Sequence, residues 1–307
     1  MQSTPAAAAA LDRGRAMWFS MVAMPHLWSI ALATYERFEA HDGWAIASHV
    51  ALTMLFSLFP FLILVTALAS FVGTVDVATE LVDLAFEGWP STVAEPIAAE
   101  VISVLTGRRS DLITLGLLLT VWIASSAVEA MRTALVRAYG VVDQRRWWVT
   151  RAQSLFFVGV GAVGMLLVSV GVVLWPGIWR YVTGTAPWLS PFGWTADLVR
   201  FGAVGSFLVA GLVGAHLLLP FGRRSLKRIL PGVGMTLLLW LAFAVLFGAW
   251  LSQFANYAST YAGLGSVMAA IFFLQMNAVV FVLGCELNAE LADRRAARAE
   301  LRGSPRE

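Results

Sequence analysis

The sequence predicts an all-α polytopic membrane bundle. It would have six transmembrane helices, an N-terminal interfacial helix and short amphipathic helices between the first two spans. Three observations carry that prediction. Only 13% of the 307 residues are charged and 59% are hydrophobic, against about 25% charged in a soluble domain. A bilayer demands this deficit, because one Asp, Lys or Arg near the centre of a spanning helix costs about 2.5 to 3.5 kcal/mol. Second, Ile229 to Cys285 runs between Arg228 and Glu286 without a charge. That is too long for the roughly 20 residues of one span and right for two, with a turn signal near Gln253, Asn256 and Tyr257. Third, the charges that do occur fall in clusters between the apolar runs.

Residues 1–15 contain an alanine run followed by Asp12, Arg13 and Arg15, and are expected to be disordered. No small-x-small cleavage site follows the next apolar stretch, so a cleaved signal peptide is not expected. Residues 16–292 are read as one membrane domain and 293–307 as a charged cytoplasmic tail. Met17, Met21, Met24, Trp28, Ala31, Tyr35 and Phe38 recur every three or four residues, with Ser20, His26, Ser29 and Thr34 between them. One apolar stripe with a polar back fits a helix lying in the interface.

The first span is expected at about 45–72, with Pro60 inside it. Proline lacks the backbone donor and crowds the carbonyl four residues back, so a kink or break is expected. Gly73 to Ser110 is acidic, with two amphipathic runs separated by Gly88-Trp89-Pro90, and is read as two short helices outside the bilayer core. The second span, 112–128, lies between Asp111 and Glu129. The third, 152–175, is closed by Pro176-Gly177 and followed by Trp179, Tyr181, Trp188 and Trp194, an interfacial aromatic belt. The fourth, 201–219, carries Gly202, Ser206, Ala210 and Gly214 on one face, where another helix can approach closely. The fifth and sixth are placed at 231–251 and 262–284.

Six spans put both ends on one side. Seventeen of the 21 Lys and Arg then lie with the termini, and the other four are Arg108, Arg109, Arg180 and Arg200. The positive-inside rule places that richer side in the cytoplasm. The formal net charge of +2 gives no reason to expect nucleic acid. The four histidines are scattered and Cys285 is the only cysteine, so no catalytic group, metal site, disulfide or cofactor is expected, and the chain is not read as an enzyme.

Several stretches carry a family resemblance. Ala51-Leu52 with Phe56-Ser57-Leu58-Phe59-Pro60, Leu230-Pro231-Gly232 with Leu239-Trp240, and Tyr261-Ala262-Gly263-Leu264-Gly265 occur in order. They run into Leu283-Gly284-Cys285-Glu286-Leu287-Asn288-Ala289-Glu290. Over about residues 30–292 the chain resembles the YihY/virulence factor BrkB family of bacterial inner-membrane proteins. The motif positions are Tyr261, Gly263, Gly265, Gly284, Glu286, Asn288 and Glu290. Ala262 and Phe272-Phe273 depart from the family pattern, which has glycine and a tryptophan there. The resemblance implies an envelope protein with six spans and cytoplasmic ends. Some members carry an old ribonuclease label, and envelope integrity, serum resistance and lipid or solute export have been associated with the group.

Polar residues inside spans line pathways or join helices. His49, Thr53 and Ser57 share one face of the first span beside Pro60, and Gln275 and Asn277 sit in the sixth on nearly opposite faces. Two functions fit. A transporter or flippase-like protein for a lipid or amphipathic solute would hold a membrane-depth cavity containing these residues. A non-transporting envelope scaffold would instead dock a protein partner through its outer acidic segment, Asp76 to Glu100. The partners expected are membrane lipids, a protein on the outer face and a second copy of the chain.

Overall fold

A computed structural model describes residues 26–72, 110–185, 188, 193–258 and 264–303. Over these residues the chain is a bundle of helices: α1 His26–Ala40, α2 Gly43–Val72, α3 Ser110–Ala138, α4 Trp147–Thr185, α5 Gly193–Leu218, α6 Leu226–Ala258 and α7 Leu264–Gly303. Helices α2 to α7 each contain an apolar window long enough to cross a membrane. At 15 residues, α1 reaches only about 22 Å, short of the roughly 30 Å hydrocarbon core.

The helices meet most closely at one end, where α1, the α3–α4 and α5–α6 connections and the C-terminal half of α7 come together. We call it the basic end. The main core gathers there, with Phe38, Val50, Leu135, Leu219, Val233 and Phe281 buried together. A smaller core, Leu64, Val65, Ala124, Val158 and Ala162, continues the packing of α2, α3 and α4 away from that end.

Helix α5 differs. Leu212, Ala215, His216 and Leu219 are buried at the basic end, but Leu208, Val209, Ala210 and Gly211 are four successive exposed residues. Successive helix residues point about 100° apart, so four exposed in a row leave no face of that turn packed. Helices α6 and α7 stay together farther out through an aromatic stack. Phe273 lies 5.7 Å from Phe243 and 5.2 Å from Phe247, centroid to centroid.

Several element boundaries differ from the sequence expectation. α2 runs from Gly43 to Val72 through Pro60 without a break: one lost hydrogen bond does not end a helix whose other backbone groups have no water to turn to. α3 continues past Val128 to Ala138 because Glu129 and Arg132 neutralise each other within it. α4 runs through Pro176-Gly177 to Thr185, and α6 through Gln253, Asn256 and Tyr257 to Ala258. The charged tail continues α7 as far as Gly303. In α1 the polar back faces the protein, with Ser29 and Thr34 buried, while Trp28 and Tyr35 of the apolar stripe are exposed and Phe38 is buried. The Asp76 to Glu100 segment and Met17 to Met24 lie outside the described residues.

Candidate functional site

The basic end holds two buried polar networks. The first is built on α7. Gly232 of α6 and Gly284 of α7 cross so closely that a Cβ on Gly232 would strike the Gly284 carbonyl and the Asn288 amide. A Cβ on Gly284 would strike Thr236 Oγ1. Two glycines are therefore required at this crossing. One turn on, Asn288 bridges the pair: its Oδ1 accepts from Gly232 N at 2.8 Å and its Nδ2 donates to the Ile229 carbonyl at 2.9 Å. Pro231, the sixth residue of α6, lacks a backbone donor, and Asn288 supplies partners to the backbone on either side of it from the neighbouring helix.

Glu286 is 1% exposed. It receives His41 Nδ1 at 2.7 Å and Arg37 Nε at 3.3 Å. The α1–α2 turn delivers both. Asp42 takes a positive φ of 55°, a conformation Asp tolerates better than most residues, and Gly43 leaves room for the Phe38 ring. Arg37 also reaches Asp293 at 2.7 Å, and Arg294 joins Glu290 to the Ser29 carbonyl. Beside this network Tyr139 lies under the Arg224 guanidinium at 4.1 Å, and burial pushes its phenol up. His216 places Nδ1 3.0 Å from the Leu212 carbonyl. A carbonyl only accepts, so Nδ1 carries the proton, and in the neutral ring Nε2 accepts from the Cys285 thiol at 3.7 Å.

The second network is centred on Arg132. It donates to the Thr150 carbonyl at 2.8 Å, Ser154 Oγ at 2.9 Å and Gln153 at 3.0 Å, and pairs with Glu129 at 3.2 Å. Arg132, Arg145 and Gln153 together satisfy the carbonyls of Leu218 and Leu219 that close α5. The Arg145 side chain holds the Asp143 carboxyl below the usual carboxylate range. A groove of about 550 Å³ opens here, lined by Arg132, Thr133, Arg137, Asp143, Arg145 and Trp147 among others.

The residues proposed for a pathway are placed separately. His49 is exposed and Thr53 half-buried, while Ser57 is buried and donates to the Ile123 carbonyl of α3 at 3.0 Å. Asn277 Nδ2 turns back to the Phe273 carbonyl of its own helix at 2.7 Å, and Trp240 of α6 donates to the Asn277 carbonyl. Gln275 and Pro60 are half-buried. None of the six lines the groove. Of the motif positions, Gly284 and Asn288 meet α6 at the crossing, Glu286 turns to Arg37 and His41 at the α1–α2 turn, Glu290 lies one turn on, and Gly265 is in the first turn of α7. Tyr261 and Gly263 lie outside the described residues. Sequence reasoning missed the half-buried Arg37 and His41 as partners of Glu286, and Arg132 as the centre of a buried network. The signal that could have found one of them is the spacing of Glu129 and Arg132, three positions apart on one helix face; Arg132 is 5% exposed.

The described motif residues near the end of α7 thus join it to α6 and to α1. A profile described as Virulence factor BrkB matches residues 34–307. The chain belongs to the virulence factor BrkB family. Among BrkB-like relatives it is 26% identical over 270 residues to the putative ribonuclease-like protein YfkH of Bacillus subtilis, covering 85% of this chain and 94% of that one. It is likewise 26% identical over 270 residues to a UPF0761 membrane protein of Chromohalobacter salexigens, but spans only 63% of that protein's length. No solved structure matches.

Proposed function

We propose that this BrkB-family protein sits in the bacterial inner membrane with both termini in the cytoplasm. There it moves a lipid or amphipathic solute across the bilayer and so contributes to envelope integrity. The observation that carries the reading is one-sided packing. Buried ion pairs and the Gly232–Gly284 crossing hold the helices at the basic end, while α5 from Leu208 to Gly211 has no packed face. Helices fixed at one end and free at the other can part to admit a lipid-sized molecule from the side. The clustering of Lys and Arg at the fixed end supports the cytoplasmic placement. We read the chain as a non-enzyme, despite the ribonuclease-like name of its Bacillus relative. Among the described residues, buried Glu286 and Arg132 are engaged by ion-pair partners and a helix-end carbonyl, an arrangement that holds helices together. Membrane lipids and a second copy of the chain are the proposed partners.

The test is reconstitution into vesicles with a fluorescent phospholipid whose outer-leaflet copies are chemically quenched. Wild type should make more than the outer-leaflet share quenchable, and Ser57→Ala with Gln275→Ala should slow that exchange. Wild-type vesicles that behave as protein-free vesicles, with zwitterionic and anionic lipid alike, would sink the reading.

A further inference from the structure

The two connections at the basic end are stitched into one surface. Arg145 stacks on Phe221 at 5.9 Å and Gln153 donates to the Leu218 carbonyl, so the α3–α4 connection lies directly against the α5–α6 connection. From Glu129 to Arg151 and from Leu219 to Leu230 this surface carries nine cationic side chains but only two carboxylates, Glu129 and Asp143. Arg132 and Arg145 are spent on the α5 carbonyls and on those two acids. Arg137 reaches Asp42, Arg151 stacks on Trp122 and Arg224 covers Tyr139. Arg146, Arg223, Lys227 and Arg228 are left. All four are exposed, and among the described residues none has a carboxylate within ion-pair distance.

The α1–α7 side of the same end has the opposite balance. Glu286, Glu290 and Asp293 gather there around Arg37. The two connections therefore carry a surplus of positive charge, which folding has brought together against its own repulsion. Two helix N-termini, those of α4 and α6, add positive potential. The apolar neighbours say where the balancing anion lies. Trp147 and Trp148 are exposed beside Arg146, which lies 5.8 Å over the Trp148 ring, and Leu226 and Leu230 are exposed one turn apart beside Lys227. Exposed tryptophans and leucines among cations mark the headgroup level of a bilayer.

We propose that Arg146, Arg223, Lys227 and Arg228, with Trp147 and Trp148, form a binding surface for the phosphate groups of anionic phospholipids. The surface requires only that the protein sit in a bilayer, so it stands or falls separately from the transport reading.

The test uses the purified full-length protein in neutral detergent. It is titrated with phosphatidylglycerol, with phosphatidylcholine and with inorganic phosphate, and bound lipid is counted by native mass spectrometry while thermal unfolding is followed. Phosphatidylglycerol should bind and raise the unfolding temperature, and phosphatidylcholine should do neither. Replacing all four cations (Arg146→Gln, Arg223→Gln, Lys227→Gln, Arg228→Gln) should weaken phosphatidylglycerol binding by more than about a hundredfold, since each cation near an anionic surface is worth about fivefold. Arg295→Gln with Arg298→Gln, on the extension of α7, should leave it unchanged. If the fourfold variant does not fold, single Arg146→Gln and Arg223→Gln variants should each lose about fivefold. Equal binding of the two lipids, full retention in the variants, or equal stabilisation by inorganic phosphate would each overturn the proposal.

Discussion

Helices α4 and α5 are sequence neighbours of similar composition, yet they end up in different circumstances. α4 buries Ser154, Val158, Ala162 and Leu166, a row spaced by four that keeps it against its neighbours over several turns. α5 buries Leu212, Ala215, His216 and Leu219 and then exposes everything from Leu208 to Gly211. Both are rich in glycine. On α4, Gly164 accepts the Phe207 ring where a Cβ could not fit, whereas a Cβ on Gly202, Gly205 or Gly211 of α5 would meet nothing within 4 Å. Gly164 is thus a contact point, whereas Gly202, Gly205 and Gly211 lie on an unoccupied surface. In lipid the hydrophobic effect does not close such a surface, because lipid tails fill it as readily as another helix does. What holds this bundle is therefore the polar and close-packed basic end, and that division can be tested piece by piece.

The largest effect is expected from Arg132→Ala. It leaves the Thr150 carbonyl without its side-chain donor and the Glu129 carboxylate without its guanidinium partner, and breaking a buried ionic network costs about 3 to 5 kcal/mol. Thermal unfolding in detergent should show a large drop or no folded protein. Next come Gly232→Ala and Gly284→Ala, where the added methyl meets backbone or a buried hydroxyl. Each should cost about 1 to 3 kcal/mol, while Gly202→Ala and Gly205→Ala change stability by less than about 0.5 kcal/mol or raise it slightly. Equal losses at both pairs would erase the distinction between the two regions. Ser57→Ala removes one interhelical hydrogen bond between α2 and α3 and should cost about 0.6 kcal/mol.

The smallest effect depends on pH. Asp143 titrates below its ordinary value in the folded protein because Arg145 pairs with it. Its contribution is complete above the usual carboxylate value and is lost as pH falls through the depressed folded value. The stability difference between wild type and Asp143→Asn should therefore shrink on acidification below about pH 4. A difference that stays constant down to strongly acidic pH would remove the ion pair from the account.

The six spans were legible because a bilayer forbids charge over long runs, and the absence of charge from Ile229 to Cys285 is visible without any structure. The ends of the spans were less so. A count of charges places the end of the second span at Val128, yet Glu129 and Arg132 continue inside the helix. Their cost is removed by each other and by the carbonyls of α5, partners that no local window contains. The same reason hid His41 and Arg37, whose partner Glu286 lies some 245 residues away. Gly284 and Asn288 stood out as part of a motif, but the reason for them, a helix crossing with no room for a Cβ, is a property of two helices and cannot be read from one.

The contrast within α5 can be measured directly. A nitroxide label would be placed at each position from Phe201 to Leu219 in turn, with Cys285 replaced and the protein in lipid vesicles, and its mobility and oxygen accessibility recorded. Labels at Leu208, Val209, Ala210 and Gly211 should all be mobile and oxygen-accessible, and immobilisation should recur with helical period beyond them, at Leu212, Ala215 and His216. Immobilisation of one of those four in helical register with Leu212 and Ala215 would contradict the one-sided packing, because that turn of α5 would then have a packed face.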